Sequence, residues 1–321
     1  MVRHVRAGVL CAIILACHAL LGGGVGHGQE TFTPSAANDP ATCSELWAAI
    51  GLPKYRPSAQ VNKTLVCHTR YVLSHNNAKK TPDWVIERLT REQVGGNNTR
   101  PDIGFRQEKN VPRAARASDD DYVKSDFDRG HQAPSDDFNS NVELMEESFI
   151  LSNAVPQEGE GFNQYIWPIL EQSIRDLLEN RAELYVITGP VYQDARGRTL
   201  KITKQENACG NAIDLAPLAK TEICEANNQN SRVKCDGAGV AVPAGLYKII
   251  YDPQAKRVNA YIMPNIDHRG LRGTADTVGY INKFRTTLLI VEEFTGIQFL
   301  TAFPSRDRRR LNEQCQAVMI R

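Results

Sequence analysis

Apolar and polar residues alternate in several short runs, each bounded by residues that commonly end a strand. The runs rich in β-branched and aromatic side chains predict strands at residues 65–73, 84–89, 183–188, 246–251 and 258–263. The third run stops at Gly189-Pro190, and the last two flank a turn around Asp252-Pro253, as in a hairpin. The pattern therefore predicts an antiparallel sheet.

Two longer segments have apolar residues at helical spacing. They cover residues 165–181 and 277–294, and Gly296 follows the second where a glycine commonly ends a helix. Pro168 belongs in a first helical turn, where a missing N–H is tolerated, so the first helix is expected to begin between Gln164 and Trp167. A central antiparallel sheet with packed helices places the chain in the α+β class.

The N-terminal residues have the organisation of a secretory signal peptide. Arg3 and Arg6 precede an apolar run at residues 7–21 and a glycine-rich stretch, so cleavage is expected near Gly28. The run is shorter than the roughly 20 residues that a membrane-spanning helix needs. The sequence therefore predicts a signal peptide at residues 1–28 and a secreted or periplasmic protein with no membrane anchor after cleavage.

Removal of that segment changes the charge balance. Lys+Arg falls from 38 to 36 against 37 Asp+Glu, a net charge of −1. A protein that binds polyanions through general positive charge usually has a clear basic excess. Any contact with nucleic acid must therefore come from a local patch and a bound cation.

Cysteine usage fits an exported protein. Six of the eight cysteines follow the predicted signal peptide, and they are Cys43, Cys67, Cys209, Cys224, Cys235 and Cys315. An even number in such a chain favours disulfides, with Cys43 and Cys67 as a local pair and the other pairings open. No C-x-x-C pair supports a zinc site. We expect an N-terminal arm with the first strands at residues 29–95, a core at 96–321 in the same domain, and a cysteine-rich insert at 205–240.

One short segment concentrates chemically useful side chains. Residues 128–131 read Asp-Arg-Gly-His, which places a carboxylate, a guanidinium and an imidazole together. A neutral imidazole can accept a proton from water near neutral pH, and a guanidinium can form two hydrogen bonds with a phosphate. Four residues alone do not establish such chemistry, because the same segment could be an ordinary turn that carries a surface ion pair.

Other segments follow this one in a defined order. They are Leu151-Ser152-Asn153, Phe162-Asn163-Gln164 and the stretch from Trp167 to Glu171. Together the segments resemble the D-R-G-H signature and its companions in the DNA/RNA non-specific endonucleases, which are secreted nucleases with a ββα-metal active site. The resemblance implies that fold around a central antiparallel sheet.

The resemblance also implies roles for individual residues. His131 would be the general base that activates water, and Asn163 would be the metal ligand. Glu171, up to two helical turns or roughly 12 Å further along, would orient metal-bound water. A single amide ligand leaves most of an octahedral shell to water and phosphate, which suits Mg²⁺, although oxygen ligands also suit Mn²⁺.

The remaining candidates surround these three. Arg129 would contact phosphate oxygens, Asp128 would orient its neighbours, and Asn153 would organise the adjacent loop. Arg100 lies at the upstream distance where related nucleases carry a second catalytic arginine, with Arg106 as the rival for that role.

These residues predict a secreted, metal-dependent endonuclease that hydrolyses DNA and RNA. The alternative is a secreted module with the same fold that binds nucleic acid or protein without catalysis. A module of that kind has no need of a base together with a metal ligand, so the enzyme is the favoured hypothesis. Its oligomeric state does not follow from the sequence.

Overall fold

The computed structural model describes residues 33–57, 62–192, 200–204, 206, 207, 209, 211–215, 218–230, 234–271, 277–312 and 315. The predicted signal peptide lies outside these residues, as do parts of the predicted insert at 205–240. Within the described ranges, no helix is long and apolar enough to cross a membrane.

The strands are numbered in chain order. They are β1 (Lys54–Tyr55), β2 (Lys63–Cys67), β3 (Tyr71–Asn76), β4 (Thr81–Thr90), β5 (Phe127–His131), β6 (Ala154–Glu158), β7 (Glu183–Val191), β8 (Leu200–Ile202), β9 (Ile213–Leu215), β10 (Glu222–Ile223), β11 (Val240–Ala241), β12 (Gly245–Asp252), β13 (Arg257–Pro264), β14 (Arg285–Thr286) and β15 (Ile297–Gln298). The α-helices are α1 (Ser44–Trp47), α2 (Arg91–Val94), α3 (Val142–Glu147), α4 (Trp167–Leu177), α5 (Glu225–Gln229), α6 (Thr277–Ile281), α7 (Leu288–Thr295) and α8 (Ser305–Asn312).

A seven-stranded sheet forms the centre of the molecule, in the order β14-β13-β12-β7-β4-β3-β2. Every neighbouring pair is antiparallel. Helix α4 packs on one face and α7 on the other, so the central strands are buried on both sides. This explains why β12 is buried along its whole length and confirms the predicted α+β fold.

The pairing of β4 with β7 joins distant parts of the chain. Thr90, the last residue of β4, lies opposite Glu183, the first residue of β7. The segment between them, residues 91–182, therefore leaves the sheet and returns to a neighbouring position.

Two predicted elements are wrong in extent. Residues 65–73 are not one strand, because β2 ends at Cys67 and β3 begins at Tyr71. Residues 277–294 are not one helix, because α6 ends at Ile281 and β14 pairs with β13 before α7 begins. Apolar spacing does not reveal such breaks. In the second case the two halves pack on opposite faces of the sheet, α6 with α4 and α7 on the other face. Gly296 does end α7, with a φ of 70°.

A two-stranded ribbon of β5 and β6 carries the Asp-Arg-Gly-His segment beside the sheet. A side chain at Gly130 would overlap that of Gln157 on β6, which is fully buried, so glycine is required for this close approach. A π-helical segment, Gly159–Ile166, then connects β6 to α4, with Pro168 in the first turn of that helix. The helix predicted at residues 165–181 is therefore found mainly as α4.

Three disulfides form among the described residues. Cys43 is bonded to Cys67, as predicted, and the pairs left open are Cys209–Cys315 and Cys224–Cys235. Because all six cysteines that follow the predicted signal peptide are paired, none of them is available to a zinc ion.

A buried ion pair closes the turn between β2 and β3. His68 Nε2 lies 3.0 Å from Glu108 Oε2, and its Nδ1 lies 3.5 Å from Glu147 Oε1. Burial disfavours the charged ring, but hydrogen bonds to the two carboxylates raise the pKa of His68 to about 9. The same bond opposes the effect of burial on Glu108 and lowers its pKa to about 2. Because Glu108 also accepts from Ser152, the pair ties the turn to the segment beside the D-R-G-H ribbon.

We expect this ion pair to make stability fall with alkaline pH. Because the pKa of His68 is about 9 in the folded chain and 6.5 ordinarily, its contribution is complete below pH 6.5 and lost as the pH rises through 9. The full contribution is on the order of 3 kcal/mol. Urea unfolding at a series of pH values should show this decline, and His68→Gln should flatten it.

His75→Gln is the matched control. His75 is also buried, but desolvation lowers its pKa from 6.5, so its titration makes stability rise with pH through that value and adds nothing to a decline above it. A His68→Gln variant whose stability declined between pH 6.5 and 9 as steeply as the wild type would contradict the assignment.

Candidate active site

The residues of the D-R-G-H ribbon and the π-helical segment face a common cavity of about 470 Å³. The polar side chains at its wall are Arg100, Asp119, Asp128, Arg129, Asn163 and Gln164, and its apolar wall includes Ile103 and Phe105. The structure therefore brings together four of the residues that the sequence singled out: Arg100, Asp128, Arg129 and Asn163.

Asp128 fixes the orientation of Asn163. Its Oδ2 accepts hydrogen bonds from Asn163 Nδ2 at 2.9 Å and from Gln164 Nε2 at 2.7 Å. With its amide nitrogen committed to a carboxylate, Asn163 has its carbonyl oxygen left as an acceptor or ligand. This geometry fits an orienting role for Asp128, which stays a prediction.

The position of Asn163 differs from the one expected. It lies within the π-helical segment, not at the first residue of a helix, because helical winding begins earlier at Gly159. The Glu158 carboxylate accepts from the backbone N–H groups of Gly161 and Phe162 and so caps this earlier start.

His131 ends β5 between two aromatic rings. The centroids of Phe105 and Phe149 each lie 4.8 Å from that of the imidazole. Its Nε2 is enclosed and has no hydrogen-bond partner among the described residues. Desolvation by burial, and then the charge of Arg100, lower the pKa of His131 to about 3. The ring is therefore neutral at physiological pH and can accept a proton.

The two candidate upstream arginines lie in different surroundings. Arg100 lines the cavity, with its guanidinium carbon 4.9 Å from the ring centroid of Phe149. Arg106 instead donates from Nη2 to the Glu146 carbonyl oxygen at 2.8 Å. The geometry thus favours Arg100, and its catalytic role stays a prediction.

Arg129 is held by the segment that precedes its strand. Its Nε lies 2.5 Å from Asp119 Oδ1, and its Nη2 donates to the Asp119 carbonyl oxygen at 2.9 Å. The ring of Tyr122 lies 5.2 Å from the guanidinium carbon. Sequence reasoning missed Asp119 and Tyr122, because nothing in a run of acidic residues marks one of them as an arginine partner.

Asn153 holds the chain that follows His131. Its Oδ1 accepts from Ala133 N, and its Nδ2 donates to the carbonyl oxygens of Ala133 and Ser148. The side chain is fully buried and all these partners are backbone atoms. These bonds hold the loop that follows His131, and the part of Asn153 in the site stays a prediction.

Glu171 lies in a buried group of charges under the sheet. Its Oε1 is 3.7 Å from Lys248 Nζ, and the side chain is one-tenth exposed. Glu87 and the ion pair between Asp137 and Arg175 belong to the same group. Desolvation, partly offset by the charge of Lys248, raises the pKa of Glu171 to about 7. Lys248 was not predicted, because it occurs within an apolar strand.

The donors at the cavity suit a hydrated cation. No group of three histidine, cysteine or acidic side chains able to hold a metal occurs in the described parts of the chain. The available ligand is instead the Asn163 amide oxygen, oriented by Asp128, in a cavity with room for water and phosphate. Mg²⁺ commonly keeps several waters and few protein ligands, so the donor set fits it.

The sequence and the fold match a known class of proteins. The family model of the DNA/RNA non-specific endonucleases matches residues 51–306. A nuclease of Cunninghamella echinulata, Nuclease C1, is 31% identical over 77% of this chain and 86% of its own length. A nuclease of Syncephalastrum racemosum is 31% identical over 76% of this chain and 69% of its own.

Relatives with lower sequence identity also match over most of this chain. The human mitochondrial nuclease EXOG is 28% identical over 75% of this chain and 57% of its own length. The crystal structure of a complex of EndoG with EndoGI contains a chain that aligns with a TM-score of 0.61 at 28% identity, covering 82% of this chain and 93% of that one. This chain belongs to the DNA/RNA non-specific endonuclease family and is a phosphodiester hydrolase.

The proximity of Arg100 to His131 can be tested without catalysis. Because the charge of Arg100 helps to lower the pKa of His131, Arg100→Ala should raise that pKa towards 6.5 in the metal-free protein. Arg106→Ala, which removes the same charge from a site bonded to Glu146, should leave it unchanged. NMR titration of the His131 ring would measure both, and the reverse outcome would assign the upstream role to Arg106.

Proposed function

We propose that the chain is a secreted, metal-dependent endonuclease that hydrolyses the phosphodiester bonds of both DNA and RNA. The observation that supports this best is the cavity at which Asp128 orients the amide of Asn163. A neutral His131 ends the strand that carries Asp128, with its ring against Phe105, which lines that cavity. A module that only binds would gain nothing from a neutral imidazole and a metal ligand carried on adjoining elements.

In this proposal His131 is the general base. It accepts a proton from the attacking water at a ring nitrogen, and the aromatic rings of Phe105 and Phe149 hold the imidazole in place. The low pKa caused by burial ensures that the ring is unprotonated before the reaction.

Two arginines supply positive charge at the same cavity. Arg129 retains free N–H groups of its guanidinium fork for phosphate oxygens, and Arg100 stabilises the charge that develops in the transition state. Contacts of this kind go to the phosphate, not to the bases or to the sugar. Activity without sequence or sugar preference follows from them.

The cation we propose is Mg²⁺, held through Asn163, although the oxygen donors also suit Mn²⁺. When bound, it neutralises charge on the phosphate and assists departure of the leaving oxygen. Asp128, Asn153 and Glu171 are proposed to position the groups around it, since Asp128 and Asn153 bind site elements directly and Glu171 belongs to the helix that follows Asn163.

Secretion is supported by the signal-like residues 1–28 and by the three disulfides. The relatives include fungal nucleases and mitochondrial ones. Expression of the full chain in a secreting host, followed by N-terminal sequencing of the exported protein, would test this part. Retention of residues 1–28 on a cell-associated product would contradict it.

The main experiment measures cleavage of plasmid DNA and of RNA by the disulfide-bonded protein with Mg²⁺ or with excess chelator. We expect cleavage of both substrates only with the metal. His131→Ala should lower the rate by about 10²- to 10⁴-fold, the usual contribution of a general base. Asn163→Ala should raise the Mg²⁺ concentration required for half-maximal rate.

Two substitutions serve as controls. His75→Gln and Asn98→Ala change the same residue types away from the cavity, at a buried and an exposed position respectively. Absence of cleavage by folded wild type that still bound DNA or RNA would favour the binding module instead. Cleavage that persisted in chelator would contradict the metal-dependent mechanism.

The rate should also fall at acid pH because of Glu171. Its pKa of about 7 means that the carboxylate becomes neutral as the pH drops below that value, whereas His131, with a pKa of about 3, stays neutral. A profile of kcat/KM between pH 5.5 and 8.5 should therefore show an acid limb that Glu171→Gln removes while lowering the plateau.

Glu179→Gln, at an exposed position beyond the same helix, should keep the limb. A Glu171→Gln enzyme with an unchanged acid limb would exclude this carboxylate as its source.

A further inference from the structure

Part of the predicted insert forms a small disulfide-closed unit. We define the cystine hairpin as β10, α5 and β11 with the Cys224–Cys235 bond. Its strands pair Glu222 with Ala241 and Ile223 with Val240. Ala241 N also donates to the Lys79 carbonyl oxygen at 3.0 Å, so the hairpin is attached to the main body of the fold.

The cystine hairpin packs on the segment that precedes the D-R-G-H strand. Ile223 and Val240 are fully buried in a cluster with Tyr122 and Leu151. Asn228 Nδ2 donates to the Asp121 carbonyl oxygen at 2.7 Å. Apolar packing and a hydrogen bond thus hold the short helical turn at Asp119–Asp121 on the side that contacts the cystine hairpin.

That same turn carries the partners of Arg129. Asp119 binds the guanidinium through both its carboxylate and its carbonyl oxygen, and the Tyr122 ring lies beneath it. A continuous set of contacts therefore runs from the cystine hairpin through Tyr122 and Asp119 to Arg129. A long arginine side chain has many rotamers in water, and such contacts reduce them to one that faces the cavity.

We propose that the cystine hairpin positions Arg129 for phosphate binding, with Tyr122 and Asp119 as the positioning residues between them. The inference rests on the proposed role of Arg129 in phosphodiester cleavage. It assigns to the insert a part in the reaction, although none of the insert residues that the structure describes lines the cavity.

A double-mutant cycle tests this coupling. Cleavage of DNA would be measured for the paired change Cys224→Ser with Cys235→Ser, for Arg129→Lys, and for the combination. Opening the hairpin should lower kcat/KM by about tenfold to hundredfold, the range caused by misplaced catalytic groups. In the Arg129→Lys background, where the guanidinium fork is already absent, it should have an effect of less than about twofold.

The matched control is the paired change Cys43→Ser with Cys67→Ser, which opens another short disulfide loop outside these contacts. Its effect should be the same in both backgrounds. The proposal would be overturned if opening the hairpin lowered kcat/KM by the same factor with Arg129 and with Arg129→Lys. It would also be overturned if the folded hairpin variant kept full activity.

A second variant covers the case in which the hairpin fails to fold without its disulfide. Asn228→Ala removes only the bond to the Asp121 carbonyl oxygen and keeps the disulfide and the apolar cluster. It should show the same dependence on Arg129 with a smaller loss, and an equal loss in both backgrounds would reject the coupling. Failure of wild type to cleave would refute the proposed function, whereas active wild type with independent effects would refute this inference alone.

Discussion

The hydrogen bonds from Asn163 and Gln164 to one oxygen of Asp128 are the interaction on which the site depends. They join the end of the ribbon to the π-helical segment, two elements that have no ladder of backbone bonds between them. An ionised carboxylate accepts stronger hydrogen bonds than a neutral acceptor does. The two bonds to Asp128 can therefore fix the side-chain amides of both Asn163 and Gln164. This link fixes the proposed metal ligand relative to the strand that ends at His131, in addition to the connection through β6.

The sequence could predict the elements whose signal is local. The central strands were recognisable by their β-branched runs, and Gly296 by its place after a helical pattern. The turn at His68 could not be recognised in this way, because it is held by an ion pair with Glu108, a residue far away in the chain. The early start of the π-helical segment likewise depends on a capping contact from Glu158 that no periodicity reports.

The residues of the candidate site also divide into those that the sequence could predict and those that it could not. A linear motif identified His131, Arg129, Asp128 and Asn163, and the structure places the last three at one cavity with His131 at the adjoining strand end. It could not identify the groups that act on them across the fold, such as Asp119 beside Arg129 or Lys248 beside Glu171. Lys248 in particular occurs in a strand buried on both faces, where a sequence pattern gives no reason to expect an ammonium group.

The side-by-side pairing of β4 and β7 has a consequence for the origin and folding of the site. Thr90 and Glu183 are cross-strand neighbours, so the long excursion between them begins and ends at one place on the sheet. Arg100, His131, Asn163 and Glu171 all belong to that excursion. The entropy of closing a loop rises only slowly with its length. Insertions in the loops of this excursion can therefore change substrate contacts while the register of the sheet is preserved.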